Sequence, residues 1–248
     1  MANHFTNGNR WCIFIDILGF SRFWVCERGK AHASLRAIMR GIYAIGRNSY
    51  PADPKRFFVH QMGDGFAIVS DFGESSLDRP VAIASALMRH ISTSGTFAAA
   101  AIAEGDFADI RGIYPQEIFS ENYSGRVVNM GQGLMIPSFV MGTAFIRAYG
   151  VAKEAPPGPF LTVAGDQRDR LPANVECQIT SGRKDKSLWS IDWLRHESEH
   201  LVHIQQTAKI HIPSLSELQQ AIKGYCKHYS FIGDKWRDHL HGLLDIEV

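Results

Sequence analysis

The chain opens its pattern with a continuous bulky run, Trp11 to Ile15, that stops at a charge, Asp16. A short apolar run of this kind reads as a strand buried on both faces. From Ala31 to Ile45 the spacing changes. Leu35, Ile38, Met39, Ile42 and Ile45 fall on one stripe, with Arg36, Arg40 and Arg47 outside it. That is the period of an amphipathic helix. Tyr50-Pro51-Ala52-Asp53-Pro54 reads as a loop. Two strand-like runs, RFFVHQ and FAIVSD, meet through Met62-Gly63-Asp64-Gly65 and predict a hairpin. A second amphipathic helix follows from Asp78 to Ile91, then a strand from Phe97 to Ala103.

Residues Gly105 to Met135 show no clear period and read as irregular. Pro137 is placed to open a helix through Arg147 and Tyr149. After Pro156-Pro157-Gly158-Pro159 come two strand-like runs, FLTVA and SLWSIDWL. Ser214 to His228 and Phe231 to Leu244 read as closing helices. The order predicts an α+β sandwich, a central mixed or antiparallel sheet with flanking helices on one face. Residues 10–165 are expected to form the functional domain. Residues 166–248 are expected to pack on it as a C-terminal strand and helices.

Composition narrows the classes. Of 248 residues, 45% are hydrophobic and 21% charged, so the chain is globular rather than disordered. A formal net charge of +1 calls for neither nucleic acid nor an anionic membrane as partner. Cys12, Cys26, Cys177 and Cys226 stand singly, as reduced thiols of a cytoplasmic protein do. The N-terminus has no apolar signal-peptide core. Val127 to Ile146 is free of charge, but its Asn, Gln, Pro and Gly residues fit buried protein better than a membrane span.

A charged Asp at the end of a bulky strand is costly unless something offsets it. Asp16 is such a residue, and the turn after it, Ile17 to Ser21, offers backbone amides that can cradle phosphates. Asp64 sits on a tight turn between strands that can lie beside the first. Carboxylates converging from two strand ends can hold two metal ions. The plainer readings are a helix N-cap for Asp16 and a simple Asp-Gly turn for Asp64. His196-Glu197-Ser198-Glu199-His200 matches the H-E-x-x-H zinc pattern, with His203 as a conceivable third ligand. The glycine that would extend the pattern is absent at 203, and the charge density is that of a solvated face.

Phe14-Ile15-Asp16-Ile17-Leu18-Gly19-Phe20-Ser21 resembles the first metal motif of class III adenylate and guanylate cyclases. Met62-Gly63-Asp64-Gly65-Phe66 resembles the hairpin that carries their second metal aspartate. Ala101 to Asp106 looks like their central strand. Gly142 to Tyr149 looks like the following helix as found in bacterial antiphage pyrimidine cyclases of the Pycsar system. The resemblance covers residues 10 to about 165, and the first two motifs together carry its specificity.

The resemblance implies a sandwich fold and cyclisation of a nucleoside triphosphate with loss of pyrophosphate. Two Mn²⁺ or Mg²⁺ ions would be held by Asp16, Asp64 and the Ile17 carbonyl. The amides of Gly19, Phe20 and Ser21 would contact phosphate. Purine cyclases carry a base-reading lysine where this chain has His60, and an asparagine and an arginine where it has Ile146 and Gly150. Arg147 lies between those two, and Arg147, Arg126 or Arg111 would supply charge at the transition state. With the base-reading half rewritten, the expected substrate is UTP, then CTP, with Tyr50 and His60 at the base. A lone His or Tyr near a sheet is more often structural, and Arg147 reads equally well as a solvated charge. A purine cyclase and a non-catalytic nucleotide sensor are the alternatives. The resemblance also implies a homodimer with composite sites, and a separate effector for the cyclic nucleotide.

Overall fold

The computed structural model describes residues 5–52, 55–70, 73–109, 115, 116, 118, 127–135, 140–181, 187–229 and 232–246. Its centre is a strand–helix–strand–strand–helix–strand unit. Strand β1 (Phe5–Ile17) leads into helices α1 (Phe20–Cys26) and α2 (Arg28–Ala44). The hairpin β2 (Phe57–Met62) and β3 (Gly65–Ser70) follows, then α3 (Asp78–Ser92) and β4 (Ala98–Asp109). β3 inserts between β2 and β1, and β4 pairs with the other edge of β1, giving the order β2-β3-β1-β4. This is the split arrangement of ferredoxin-like units. It makes β1 central, and the bulky run from Trp11 to Ile15 is buried throughout.

Past β4 lie the short strands β5 (Val128–Met130), β6 (Gly133–Met135) and β7 (Val140–Met141). Helix α4 (Thr143–Glu154) then crosses to β8 (Leu161–Ala164), which runs parallel to β4. β9 (Cys177–Ser181) and β10 (Ser187–Ile191) extend the same sheet as β8-β10-β9. Helices α5 (Glu199–Thr207), α6 (Leu215–His228) and α7 (Asp234–Leu244) complete the chain. Ser214 caps α6 in a full capping box with Glu217.

Helices flank both faces of the sheet, not one. The larger core joins Trp11, Ile13, Ile15 and Ile17 to residues of α2, α3, α5, α6 and α7. The opposite face carries a smaller core in which Cys12, Phe14, Ala67, Val69, Ala103 and Phe107 meet Ala144 and Ala148 of α4. Period-two alternation along β1 sends odd positions to the first core and Cys12, Phe14 and Asp16 to the second.

The region expected to be irregular is partly regular: β4 continues to Asp109, and β5 and β6 form a hairpin. The uncharged stretch is buried only in part among its described residues: Val128 and Ala144 are buried, whereas Met130 is 56% and Leu134 70% exposed. α4 begins at Thr143; Pro137 lies outside the described residues. The start is set by a reciprocal contact: the Thr143 N–H donates to Asp106 Oδ1 at 2.6 Å, and the Asp106 N–H donates to Thr143 Oγ1 at 2.9 Å. β9 and α5 have no counterpart in the pattern of the sequence. Two of the cysteines, Cys12 and Cys226, are buried, and all four are free thiols. Among the described residues no helix is long and apolar enough to cross a membrane.

Small residues let α4 approach the sheet closely. A Cβ on Gly105 would lie 2.4 Å from Thr143 Oγ1 and 2.5 Å from the Ala144 amide. Neither neighbour can give way, since both belong to the start of α4. Gly105→Ala should therefore lift the helix and destabilise the fold by about 1–3 kcal/mol, read as a lowered midpoint in urea unfolding.

Candidate active site

The two aspartates meet at one corner of the sheet. β1 ends at Ile17, and Asp16 pairs with Ala99 of β4 on one side. On the other side Ile15 faces Phe66, so Asp16 comes level with the start of β3, beside the hairpin turn that holds Asp64. The turn is tight because Gly63 adopts φ 66°, a region that favours glycine. A Cβ on Gly65 would lie 3.1 Å from Asp16 Oδ1 and 3.0 Å from Phe14 Cζ. A side chain at 65 would therefore press the Phe14 ring and the Asp16 carboxylate aside by a few tenths of an ångström.

The electrostatics follow from that closeness. Burial, and then the Asp64 charge, push Asp16 up to about 6, against an opposing hydrogen bond from the Ile17 amide. Burial also raises Asp64. Both carboxylates are thus short of compensation, which a divalent cation would provide. Carboxylate and carbonyl oxygens are the hard donors that Mg²⁺ and Mn²⁺ take. Among the described residues no group of three or more His, Cys, Asp and Glu could hold a metal. A two-carboxylate site is compatible with that, because its remaining ligands would be backbone and phosphate oxygens. Asp16, Asp64 and the Ile17 carbonyl therefore fit such ions.

Gly19 follows with φ 72°, and its carbonyl accepts the N–H groups of Arg22 and Phe23, turning the chain into α1. Gly19, Phe20 and Ser21 thus stand at the start of α1, beside the strand end that carries Asp16.

The remaining candidates are placed differently. His60 pairs with Ala67, which faces Phe14 in turn, so it shares the sheet face of Asp16. Two strand spacings across and two residues along put their Cα atoms roughly 12 Å apart. The His60 ring lies 6.1 Å from that of Phe107. Tyr50 is not brought to the site. It is 3% exposed in the core on the opposite face, beside Arg79, which stacks between it and Trp11. Its hydroxyl meets His200 Nδ1 at 3.2 Å. Tyr50 turns under the sheet because these partners bury its ring.

Arg147 also stands away from the aspartates of its own chain. It donates to the Glu104 carbonyl at 3.0 Å and to Asp166 Oδ2 at 2.5 Å. Glu104 lies five residues along β4 from Ala99, the partner of Asp16, or roughly 17 Å of strand. Arg111 and Arg126 lie outside the described residues.

The H-E-x-x-H segment does not form a zinc site. Ser198 caps α5, so His196 precedes the helix and shares no helical face with His200. His200 and His203 pack on Tyr50, and His203 Nε2 meets the Ser49 carbonyl at 3.0 Å. The charged residues Glu197 and Glu199 are exposed, as on a solvated face, while His196 is buried. Sequence reasoning missed Tyr225, whose hydroxyl reaches the Leu18 carbonyl, 207 residues away.

A testable consequence concerns the metal-free protein. Asp16 titrates near 6 when folded and near 3.8 in its ordinary state. A raised carboxylate stabilises the fold below its unfolded value, and that contribution disappears as pH rises through about 6. With chelator present, wild type should lose on the order of 1–2 kcal/mol between pH 5 and 7.5 relative to Asp16→Asn. An identical pH dependence of the two melting points across that range would contradict a raised Asp16 carboxyl.

Comparison with known proteins agrees with this architecture. No family model matches the chain, and no curated protein matches it in sequence. Solved structures do. A bacterial light-regulated adenylyl cyclase superposes with TM-score 0.50 at 11% identity, over 83% of this chain and 58% of that one. This chain therefore spans less than two thirds of that protein. The adenylyl cyclase CyaB from P. aeruginosa superposes with TM-score 0.51 at 9% identity, over 79% of this chain and 98% of that one. At such identities the likeness concerns the fold: this chain has the α+β fold of these adenylyl cyclase structures.

Proposed function

We propose that this chain is a nucleotidyl cyclase, converting a nucleoside triphosphate to its 3′,5′-cyclic monophosphate and pyrophosphate. The observation that carries the reading is the meeting of Asp16 and Asp64 at one sheet corner, each with its carboxyl raised, on a fold shared with adenylyl cyclases. Two divalent ions bound there would acidify the ribose 3′-hydroxyl and offset the charge on the departing pyrophosphate. Asp16 and Asp64 supply the anionic oxygens and the Ile17 carbonyl a further donor. The amides of Gly19, Phe20 and Ser21 orient the triphosphate. Positioning and fixed charge do most of the work, as in other phosphoryl transfers.

The proposed substrate is UTP, with CTP second and the purine nucleotides behind. His60 supports this, since it stands where purine cyclases have a base-reading lysine. It lies on the same sheet face as Asp16, so it is kept as a base contact, whereas Tyr50 is not. The proposed setting is cytoplasmic antiphage signalling through a separate cyclic-nucleotide effector, and it rests on the sequence resemblance alone. Incubating the protein with each of the four NTPs and Mn²⁺, then reading products by mass spectrometry, tests the assignment. UTP should be favoured over ATP and GTP by at least about tenfold in kcat/KM, or about 1.4 kcal/mol. Equal turnover of all four would contradict the pyrimidine reading. Absence of any cyclic product would contradict the enzyme. Asp64→Asn keeps the turn chemistry and removes the charge. It should lose more than about 100-fold in turnover with its melting point little changed.

The working unit is proposed to be a homodimer with two composite sites. Arg147 is engaged with the Glu104 carbonyl and Asp166, roughly 17 Å of strand from the level of Asp16. The outer face of α4 is open, with Ile146 56% exposed and open space around Gly150. A second copy covering that face would bring Arg147 and His60 to nucleotide held by its partner's aspartates. In a twofold dimer each surface is used twice. Asp64→Asn and Arg147→Ala should each be severely impaired alone. Mixed and allowed to exchange subunits, they should regain one intact site per heterodimer. No recovery despite confirmed exchange would exclude Arg147 as a trans-acting group. A fully active monomer by light scattering would exclude the composite site.

A further inference from the structure

The loop that carries Asp16 into α1 is held by the far end of the chain. The Leu18 N–H donates to the Phe97 carbonyl at 2.8 Å, and the Leu18 carbonyl accepts the Tyr225 hydroxyl at 3.4 Å. Tyr225 belongs to α6 and is buried. Its ring stands edge-on to Phe97 at 5.1 Å and to Phe23 at 6.4 Å. Immediately after α6, Tyr229 is also buried and stands edge-on to Phe23 at 5.3 Å. Its hydroxyl donates to Glu27 Oε2 at 3.2 Å and accepts from Lys30 Nζ. The Lys30 ammonium lies 4.5 Å from the Tyr229 ring centroid and 5.4 Å from that of Phe23.

These contacts follow α1 from one end to the other: the loop before it, its buried face, and the residue that closes it. The helix needs them. It has seven residues, and no side chain caps its start. A helix that short is unstable by itself in water. A buried tyrosine hydroxyl in turn seeks a partner, and Tyr225 finds a backbone carbonyl one residue beyond Ile17.

We infer that Tyr225 and Tyr229 are positioning residues of the metal-binding loop. They latch residues 17–27 to α6, so that Asp16 and the Ile17 carbonyl stay in register with Asp64. The inference rests on the reading of Asp16 and Asp64 as metal ligands. It makes the C-terminal helices part of the working site, although neither tyrosine touches the reacting atoms.

The test uses the full chain carrying Tyr225→Phe or Tyr229→Phe. Each keeps the ring and removes one hydroxyl, so the fold should survive with a melting point within a few degrees of wild type. Hydrogen–deuterium exchange without metal should speed up several-fold over residues 17–27 and stay unchanged over β2 and β3. Mn²⁺ titrated without nucleotide, followed by the EPR signal of the free ion, should show half-saturation shifted several-fold upward in both variants. A merely structural role would lower the melting point and leave the Mn²⁺ affinity of the folded protein alone. Unchanged exchange over 17–27 would overturn the latch, and so would faster exchange with unchanged Mn²⁺ affinity. If wild type binds no Mn²⁺, the metal reading of the site fails, and exchange alone decides the latch. If wild type binds Mn²⁺ but cyclises no nucleotide, only the reaction class fails, and both variant measurements still decide the latch.

Discussion

Two carboxylates are held together where each would be more stable apart. Asp16 is partly buried at the end of the apolar strand that forms the middle of the sheet, and the charge of Asp64 adds to the cost. Such an arrangement persists only where the surrounding structure over-determines it. Three elements do so here. β1 is fixed on both edges by β3 and β4. The hairpin is drawn tight by glycines at 63 and 65. The loop after Asp16 is tied to Phe97 on one side and to Tyr225 on the other.

This constraint divides the molecule into two faces with different tasks. The larger core, under α2, α3 and the C-terminal helices, supplies rigidity. It takes in Tyr50, Arg79 and the histidines at 200 and 203 as packing partners. The smaller core lies under α4, and the candidate chemistry lies on that side. α4 approaches closely because alanines at 144 and 148 and the glycine at 105 leave room. Its outer positions, Ile146 and Gly150, then face away from the sheet. That exposed face is the one the proposed dimer would cover.

The parts legible in the sequence were those governed by local pattern. The bulky run ending at Asp16 and the Asp-Gly hairpin are short-range signals, and both elements and their pairing follow from them. What stayed hidden depends on partners distant in sequence. Nothing local says that the ring of Tyr50 turns under the sheet, because its partner His200 lies on a helix 150 residues later. α5 escaped notice because its buried surface rests on Leu201 and Ile204 amid polar neighbours. β9 escaped because its segment, Cys177 to Ser181, is polar apart from Cys177 and the exposed Ile179. The start of α4 is fixed by Asp106, 37 residues before Thr143, rather than by the nearer proline. The hydroxyl of Tyr225 on Leu18 is the extreme case, a contact of the two chain ends.

Arg147 and Arg170 show how burial separates a movable charge from a fixed one. Both contact Glu104 or its backbone. Arg170 grips the Glu104 carboxylate with two bonds of 2.8 Å, and that carboxylate is almost fully buried. Withdrawing Arg170 would strand a buried anion, a loss of about 3–5 kcal/mol. Arg147 instead pairs with Asp166, and both side chains are well exposed. An exposed pair of that kind is worth roughly 0–1 kcal/mol. A phosphate offers the guanidinium a stronger, bidentate partner than a solvated carboxylate does. The ion pair with Asp166 therefore does not disqualify Arg147 from acting on a nucleotide. It holds the side chain at the open face of α4 at little energetic cost, from where, in the proposed dimer, it would turn to a triphosphate held by the other chain.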